Sequence, residues 1–200
     1  YKVEFFLFKD EASLMLDMSG TPLHKRGYRT LSYSAPLKET FAAALIDNTF
    51  YSPENAENKP FADLFCGSGT LPIEACLKAL NIAPNLERKF DFEGWKLTNE
   101  KVVKLAREQA KDEERRDRKL KIYGSDINPK AISIAKFHAK QAGVYEYIDF
   151  SIADMRKFKS EEKYGVLLSN PPYGERLEDE KSAQNLMKDF GKVYRALPDW

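Results

Sequence analysis

Apolar and polar residues alternate twice near the start of the chain, at residues 2–8 and 13–18, on either side of the polar turn Lys9-Asp10-Glu11. Alternation with a period of two is typical of β-strands, so the pattern predicts a β-hairpin. A basic stretch follows at residues 24–29. Its cations, Lys25, Arg26 and Arg29, suit either contacts with RNA phosphates or an ordinary basic surface loop.

From residue 61 onward, short apolar runs alternate with stretches of helical periodicity. The runs predict four strands, at residues 61–65, 121–125, 147–152 and 165–169. Helices are predicted at residues 38–46, 71–80, 100–118, 129–142 and 188–197. Strands that alternate with helices indicate βαβ units and a parallel sheet, so the chain is expected to have an α/β fold.

Composition narrows the class of protein. The 200 residues carry a formal net charge of +1, and 42% of them are hydrophobic, which is typical of a soluble globular protein. The length fits one domain, or one domain with an appendage. This balance excludes a nucleic-acid binder that is basic all over its surface. The two cysteines cannot form a disulfide scaffold, and no run reaches the roughly 20 apolar residues of a membrane span, so a cytoplasmic location is expected.

Four polar segments follow directly after predicted strands. They are Cys66–Thr70, Asp126, Asp154 and Asn170–Tyr173. Ligands of open α/β sheets bind at the carboxyl ends of the strands, where such segments converge. Their shared position predicts one ligand site at this edge of the sheet.

The first segment is a glycine-rich turn that begins after Asp63. It is not a phosphate-binding loop, because no Gly-Lys-Ser/Thr follows. It is a poor dinucleotide fingerprint, because Pro72 stands where the third glycine belongs. A carboxylate at Asp63 would repel a pyrophosphate and suits a ligand that carries an ammonium group, although a tight structural turn also explains the glycines.

Single carboxylates follow the next two strands. Asp126 is suited to accept hydrogen bonds from both hydroxyls of a ribose, while Asn128 before Pro129 fits a helix N-cap. Asp154 suits either an adenine amino group or a simple turn. In Asn170-Pro171-Pro172-Tyr173, consecutive prolines leave carbonyls free as acceptors, and the tyrosine offers a ring for stacking. This segment therefore suits a planar group with an exocyclic amine, although two prolines also make a rigid turn.

Together these segments resemble the class I S-adenosylmethionine-dependent amino-methyltransferases, whose catalytic motif is N-P-P-Y. Further segments, at residues 16–20, 23–29, 35–40, 82–84 and 170–177, resemble the bacterial 23S ribosomal RNA guanine-N2 methyltransferases that carry a THUMP domain. Members of that family are often named N6-adenine-specific DNA methylases. The resemblance implies a Rossmann-like sheet of order 3-2-1-4 preceded by the hairpin, with strands 5–7 and an RNA-binding THUMP domain outside the chain.

The resemblance also implies roles for individual residues. S-adenosylmethionine is the implied cofactor, ribosomal RNA the implied partner, and no metal is expected. The implied catalytic residues are Asn170, Pro171, Pro172 and Tyr173. The implied cofactor-binding residues are Thr40, Asp63, Phe65, Cys66, Gly67, Ser68, Gly69, Thr70, Asp126, Ile127, Asp154, Met155 and Asn170.

Two domains are expected, a hairpin with a basic linker at residues 1–35 and an incomplete methyltransferase domain at residues 36–200. The function expected from the resemblance is methylation of a guanine N2 amine in large-subunit ribosomal RNA. Adenine-N6 methylation of DNA and guanine-N2 methylation of transfer RNA are alternatives, because the motif selects an amine and not a base. A non-catalytic RNA-binding module and an NAD-dependent oxidoreductase are alternatives of another class, and Asp63 and Pro72 disfavour the latter.

Overall fold

The computed structural model describes residues 1–31, 37–172, 180–197 and 199–200. An antiparallel hairpin precedes a four-stranded parallel sheet that is flanked by helices. The predicted α/β class and the leading hairpin are therefore confirmed. Within the described ranges, no helix has the length and apolar character needed to cross a membrane.

The hairpin consists of β1 (Lys2–Phe8) and β2 (Glu11–Asp17). Lys9 and Asp10 join them with φ of 50° and 64°. Positive φ at both central residues is characteristic of type I′ turns, whose twist matches that of the strands. The second strand thus begins two residues before the predicted start. The register gathers apolar side chains on one solvent-exposed face, namely Val3, Phe5, Leu7, Ala12, Leu14 and Leu16.

The parallel sheet has the order β5-β4-β3-β6, which is the predicted 3-2-1-4. Its strands are β3 (Phe61–Asp63), β4 (Ile122–Asp126), β5 (Ile148–Ile152) and β6 (Val166–Leu167). β3 and β6 are shorter than predicted, because side-chain bonding replaces the ladder at their carboxyl ends. The amide of Leu64 donates to Ser169 Oγ, 2.9 Å away, and not to a backbone carbonyl.

The helices of the described chain are α1 (Glu39–Asp47), α2 (Thr70–Ala79), α3 (Glu100–Asp112), α4 (Pro129–Gln141) and α5 (Glu180–Ala196). Asn128 caps α4 as predicted, since its side chain accepts from Lys130 N at 2.9 Å. α3 ends six residues before the predicted Arg118. Acidic residues at positions 112–114 oppose the negative end of the helix dipole there. α5 begins eight residues before the predicted Lys188.

Two apolar clusters cover the two faces of the parallel sheet. The larger one combines Phe61 and Ile122 with residues of α1, α2 and α4. The smaller one combines Ala62 and Leu64 with the buried Met155 and with residues of α5. Helices on both faces leave the carboxyl ends of the strands as the open edge, where polar segments can bind a ligand.

The basic linker is held to the sheet domain by buried polar contacts. Arg26 Nη2 lies 3.1 Å from Glu74 Oε2, and the Tyr28 hydroxyl donates to Glu74 Oε1 at 2.8 Å. Arg29 Nη2 lies 3.6 Å from a carboxylate oxygen of Glu39. Arg26 and Arg29 therefore pair with carboxylates inside the protein. Both interpretations of the linker, contact with RNA phosphates and a solvated basic loop, are therefore wrong for Arg26 and Arg29.

Candidate functional site

The carboxyl ends of β3, β4 and β6 bring the glycine turn, Asp126 and the double-proline segment to one edge of the sheet. Gly67 N donates to Asp126 Oδ2 at 3.0 Å, which links the first segment to the second. Ser169, directly before Asn170, bonds through its hydroxyl to the end of β3. The glycine turn and Asp126 are thus joined by a direct hydrogen bond, and Leu64 and Ser169, which precede the glycine turn and Asn170, are joined by another.

Asp63 is a buried acid at the end of β3, with 1% of its surface exposed. Burial is the main cause that raises its pKa from 3.8 to about 7, and the nearby charge of Asp126 adds to this. Hydrogen bonds from Phe65 N, at 3.1 Å, and from Ser169 act in the opposite direction. Among the described residues, no cation lies within 4.0 Å of Asp63. A positively charged ligand group would therefore favour its ionised form.

The glycine turn is built for close approach. Gly67 and Gly69 both have positive φ, 52° and 87°, which side chains rarely adopt. A Cβ added to Gly69 would lie 2.9 Å from the Cβ of Ala135, so the turn also packs tightly on α4. Gly69 N closes the turn on Cys66 O at 2.8 Å. Burial, together with Asp63 and Asp126, raises the pKa of the Cys66 thiol, so this cysteine stays neutral.

Both carboxylate oxygens of Asp126 are fixed by backbone amides. Oδ2 accepts from Gly67 N and Oδ1 accepts from Asn128 N at 2.9 Å. Since Asn128 is the N-cap of α4, Asp126 is not the cap, in agreement with the sequence argument. Each carboxylate oxygen has more than one acceptor direction, so a half-buried Asp126 can still accept a ligand hydroxyl.

Asp154 begins a short 3₁₀ turn, Met155–Lys157. Its Oδ1 accepts from Arg156 N at 2.9 Å, and its Oδ2 lies 2.8 Å from Arg156 Nη1. These bonds with Arg156 lower the pKa of Asp154. Asp154 is therefore a turn residue, which was one of its two interpretations, and its contact with an adenine amine stays a prediction. Met155 is buried in the smaller apolar cluster.

Asn170, Pro171 and Pro172 are half-buried after β6, whereas Tyr173 lies outside the described residues. Because Ser169 bonds to the end of β3, the Asn170 backbone starts beside the glycine turn. The remaining predicted cofactor residues differ in exposure. Ser68 and Thr70 are buried, Phe65 is half-buried, and Thr40 and Ile127 are exposed.

Two residues at this edge were not predicted to belong to the site. Ser169 was treated as the last residue of a strand, although it stands directly before Asn170. No role was predicted for His138 from the sequence. It is fully buried on α4, its Nδ1 donates to Ser68 O at 3.1 Å, and its Nε2 accepts from Leu31 N at 3.4 Å. Its place on the apolar face of α4 was the available signal.

The arrangement suits a ligand with a cationic group and vicinal hydroxyls. Asp63 supplies a buried carboxylate, Gly67 and Gly69 leave room beside the backbone, and Asp126 presents a fixed carboxylate. In the described ranges, no group of three or more His, Cys, Asp or Glu residues is arranged to hold a metal. These features fit S-adenosylmethionine, whose amino acid end carries an ammonium group and whose ribose carries two hydroxyls.

Comparison with known proteins agrees with this chemistry. The chain is 42% identical over its whole length to "Putative RNA methyltransferase YpsC" of Bacillus subtilis, and it spans about half, 51%, of that protein. It is 41% identical to ribosomal RNA large subunit methyltransferase K/L of Psychromonas ingrahamii, with 97% of the chain and 26% of that protein aligned.

Solved structures show the same fold. A predicted N6-adenine-specific DNA methylase from Listeria monocytogenes superposes with a TM-score of 0.92 at 46% identity, covering 100% of this chain and 52% of that one. SMU.472, described as "a putative methyltransferase complexed with SAH", superposes with a TM-score of 0.91 at 39% identity, covering 99% and 51%. SAH is what S-adenosylmethionine becomes once its methyl group has been transferred.

A family defined by an RMKL-like methyltransferase domain matches residues 26–197, most of the sequence. The match begins at Arg26, the first residue of the linker that pairs with the sheet domain. The fold, the polar edge and the family therefore agree on methyl transfer from S-adenosylmethionine. This chain belongs to the UPF0020 family and contains its RMKL-like methyltransferase domain.

Proposed function

We propose that the chain is the catalytic part of an enzyme that methylates the exocyclic N2 amine of a guanine in large-subunit ribosomal RNA. The observation that carries the proposal is the hydrogen bond from Leu64 N to Ser169 Oγ, because these two residues lead into the glycine turn and the Asn170 segment. An amine acceptor and a cofactor turn at one edge are what methyl transfer to a base amine requires.

The cofactor would be held by Asp63 at its amino group and by Asp126 at its ribose. Bound S-adenosylmethionine supplies a methyl group on a positively charged sulfur, which is already a strong electrophile. The protein therefore needs no metal and no strong base to activate the donor. The task of the chain is to bind, orient and desolvate the two reactants.

The target amine is a weak nucleophile, because its lone pair is delocalised into the base. Asn170 Oδ1 and the carbonyl of Pro171 would accept hydrogen bonds from the two amine N–H groups, which moves electron density back onto nitrogen. The amine nitrogen would take the methyl group as its bond to sulfur breaks, and one amine proton would pass to solvent. Stacking of an unpaired base on Tyr173 contributes about 1–3 kcal/mol. Pro172 lacks an N–H group, so it does not compete for the Pro171 carbonyl or for the Asn170 oxygen.

The choice of ribosomal RNA rests on relatives and not on the motif. The Psychromonas relative is named for large-subunit ribosomal RNA, and the Bacillus relative for RNA. The Listeria structure is named for DNA adenine, which keeps the adenine-N6 reaction as the second candidate. We further propose that an RNA-binding THUMP domain accompanies the chain. The division of the chain at residue 36 also stays a prediction.

The test is methyl transfer from tritiated S-adenosylmethionine by the full-length protein to ribosomal RNA, transfer RNA and DNA, followed by nucleoside analysis. We expect N2-methylguanosine in large-subunit RNA. If the tritiated methyl group is found only on adenine, the assignment of guanine as the target base is wrong. Failure to bind S-adenosylmethionine at millimolar concentration would instead favour a non-catalytic RNA-binding module.

The matched variants are Asn170→Ala and Asn58→Ala. Asn170→Ala is expected to lower kcat by about a hundredfold or more, in the range found when an oxyanion-type contact is removed. Asn58 is exposed in the loop before β3, so the same substitution there should leave kcat unchanged. Equal effects of the two variants would contradict the role of Asn170.

A further inference from the structure

The outward face of α5 carries a row of exposed cations, which we call the α5 ridge. Its positively charged side chains recur at intervals of seven, four and three residues, and they are Lys181, Lys188, Lys192 and Arg195. Successive residues of an α-helix are about 100° apart, so these four lie within a stripe about 60° wide. With a rise of about 1.5 Å per residue, the stripe is about 21 Å long.

The opposite face of α5 packs on the sheet domain. Leu186, Phe190 and Val193 lie against the smaller apolar cluster, whereas all four residues of the ridge are exposed to solvent. The contacts of the apolar side fix the rotation of the helix, so the ridge faces outward. A charged outer face is common on surface helices, and it points to a partner only if one sign of charge dominates and stays unpaired.

One sign does dominate on α5. Residues 181–196 contain four cations and one acid, Asp189, although the whole chain carries a net charge of only +1. Asp189 is shared by two cations, since it lies 2.9 Å from Arg156 and 2.8 Å from Lys192. In the described part of the chain, no carboxylate lies within 4.0 Å of the charged groups of the other three ridge residues.

Helix α3 is an internal comparison, because it also carries four cations on an exposed helix. It contains three acids as well, and three of its four cations have a carboxylate partner. The pairs are Lys104–Glu108 at 3.7 Å, Arg107–Glu93 at 2.5 Å and Lys111–Glu87 at 3.2 Å. The protein thus neutralises the cations of α3 and leaves most of those of the α5 ridge without a counter-charge.

The ridge begins beside the methyl-transfer edge. The rings of Phe190 and Phe65 have centroids 5.7 Å apart, and Phe65 directly precedes the glycine turn. Trp200, beyond the end of α5, bonds to the loop that leads into β6. The helix therefore runs from the carboxyl edge of the sheet toward the amino edge. Its first turns, with Lys181 and Lys188, lie on the side of the sheet where the cofactor and the base would meet.

We propose that the α5 ridge binds the sugar–phosphate backbone of the RNA substrate beside the base that is methylated. The assignment to RNA rests on the proposed function, whereas the preference for phosphates rests on the unpaired cations. Lysine and arginine that neutralise phosphates release bound counterions, which favours association. Such contacts position a strand without reading its sequence, so the ridge would place the RNA and leave the choice of base to the catalytic edge.

A membrane surface is the other polyanion that a basic helix can bind. Amphipathic helices at membranes insert an apolar face between the lipids. The apolar face of α5 is already packed on the sheet domain, so this helix has only its charges to offer. That observation favours RNA over a lipid surface.

The test is the affinity of the full-length protein for a large-subunit ribosomal RNA fragment across a range of salt concentrations. The test variant is Lys181→Gln/Lys188→Gln, which keeps long polar side chains and removes two charges. Each phosphate contact contributes about 0.7–0.9 to the slope of log affinity against log salt, so the slope should fall by roughly 1.4–1.8. If the two proteins bind equally near about 1 M salt, this slope corresponds to about tenfold weaker binding at about 200 mM.

The matched control is Lys101→Gln/Lys119→Gln, which removes the same charge from two other exposed lysines. Lys101 lies on α3, and Lys119 precedes β4 at the amino edge of the sheet. Lys181→Arg/Lys188→Arg keeps both charges and should bind RNA like the wild type. Since the substituted side chains are exposed, the affinity for S-adenosylmethionine and the unfolding free energy should stay at wild-type values in all three variants.

Equal weakening of RNA binding in the glutamine variants of ridge and control, or no weakening in either, would overturn the proposal. A loss that the arginine variant does not restore would overturn it too. A second arm uses vesicles of phosphatidylcholine and phosphatidylserine. If the ridge variant loses only vesicle binding, the ridge is a membrane contact and the assignment to RNA is wrong.

The binding assay is independent of methyl transfer, so the two proposals can fail separately. Methylation of adenine, with RNA affinity that depends on the ridge, would overturn the guanine assignment and leave the ridge in place. Methylation of guanine, with unaltered RNA affinity in the ridge variant, would overturn the ridge alone.

Discussion

Replacing the buried acid Asp63 by Asn should make the protein more stable above neutral pH and unable to bind its cofactor tightly. In the folded protein, burial raises the pKa of Asp63 from 3.8 to about 7. The folded state therefore holds this proton more tightly than the unfolded state does. Stability falls as pH rises between these two values, and above pH 7 the destabilisation by the ionised carboxylate is complete.

The magnitude follows from the two pKa values. A difference of one pKa unit equals 1.36 kcal/mol, so the change from 3.8 to about 7 corresponds to about 4 kcal/mol. Asn keeps an oxygen that can accept from Phe65 N, and its amide can donate to the Ser169 hydroxyl. Asp63→Asn should thus match the wild type near pH 4 and exceed its unfolding free energy by up to about 4 kcal/mol above pH 8.

The assay is urea denaturation at pH 5 and at pH 8.5, with Asp149→Asn as the control, since Asp149 is an exposed residue of β5. Calorimetry measures S-adenosylmethionine affinity, which should fall by about a hundredfold when a buried charge pair is lost. A stability difference that is the same at both pH values would refute the burial argument. Unchanged cofactor affinity would refute the contact of Asp63 with the ammonium group.

Three further changes probe the framework of the site. Gly69→Ala should lower the unfolding free energy by about 2 kcal/mol or more, because its Cβ would meet Ala135 at 2.9 Å and φ is 87°. Glu74→Gln leaves Arg26 buried without its counter-charge and should cost about 3 kcal/mol in urea denaturation. His138→Ala leaves the Ser68 carbonyl unbonded and should cost about 1–3 kcal/mol while weakening cofactor binding.

Each of these changes has its own control. Gly94→Ala is the comparison for Gly69, because nothing lies within 4 Å of a Cβ there and its φ is not positive. Glu108→Gln removes a carboxylate whose side chain is 58% exposed, and a loss equal to that of Glu74→Gln would argue against the buried pair. For His138, cofactor affinity that is unaffected by the alanine would limit its role to stability.

The parallel sheet was predictable because strand and helix signals alternate along the chain, whereas the strand order 3-2-1-4 came from the family resemblance. The strand lengths were not predictable, since β3 and β6 end at the point where the Ser169 hydroxyl, and not a backbone carbonyl, accepts from Leu64 N. The end of α3 was also misplaced, because the charged run at residues 111–118 contains neither glycine nor proline to mark where the helix stops. Strand ends and helix ends depend on side-chain bonding that a periodic pattern does not contain.

The glycine turn, Asp126 and the Asn170 segment were found because each follows a strand. The linker was not understood, since Arg26 and Arg29 look like surface cations in the sequence. Their partners, Glu74 and Glu39, lie 48 and 10 residues further along the chain. A local sequence pattern does not show which distant carboxylates a buried cation will pair with. Here that pairing assigns Arg26 and Arg29 to contacts inside the protein and not to contacts with RNA.

The bond between Gly67 and Asp126 has a consequence for how the protein responds to its cofactor. Two backbone amides on different segments already hold this carboxylate, and the turn itself is closed by Gly69 and Cys66. Little ordering entropy remains to be lost there when S-adenosylmethionine arrives. Crystals of the free and cofactor-bound protein should therefore superpose at this turn to within about 1 Å.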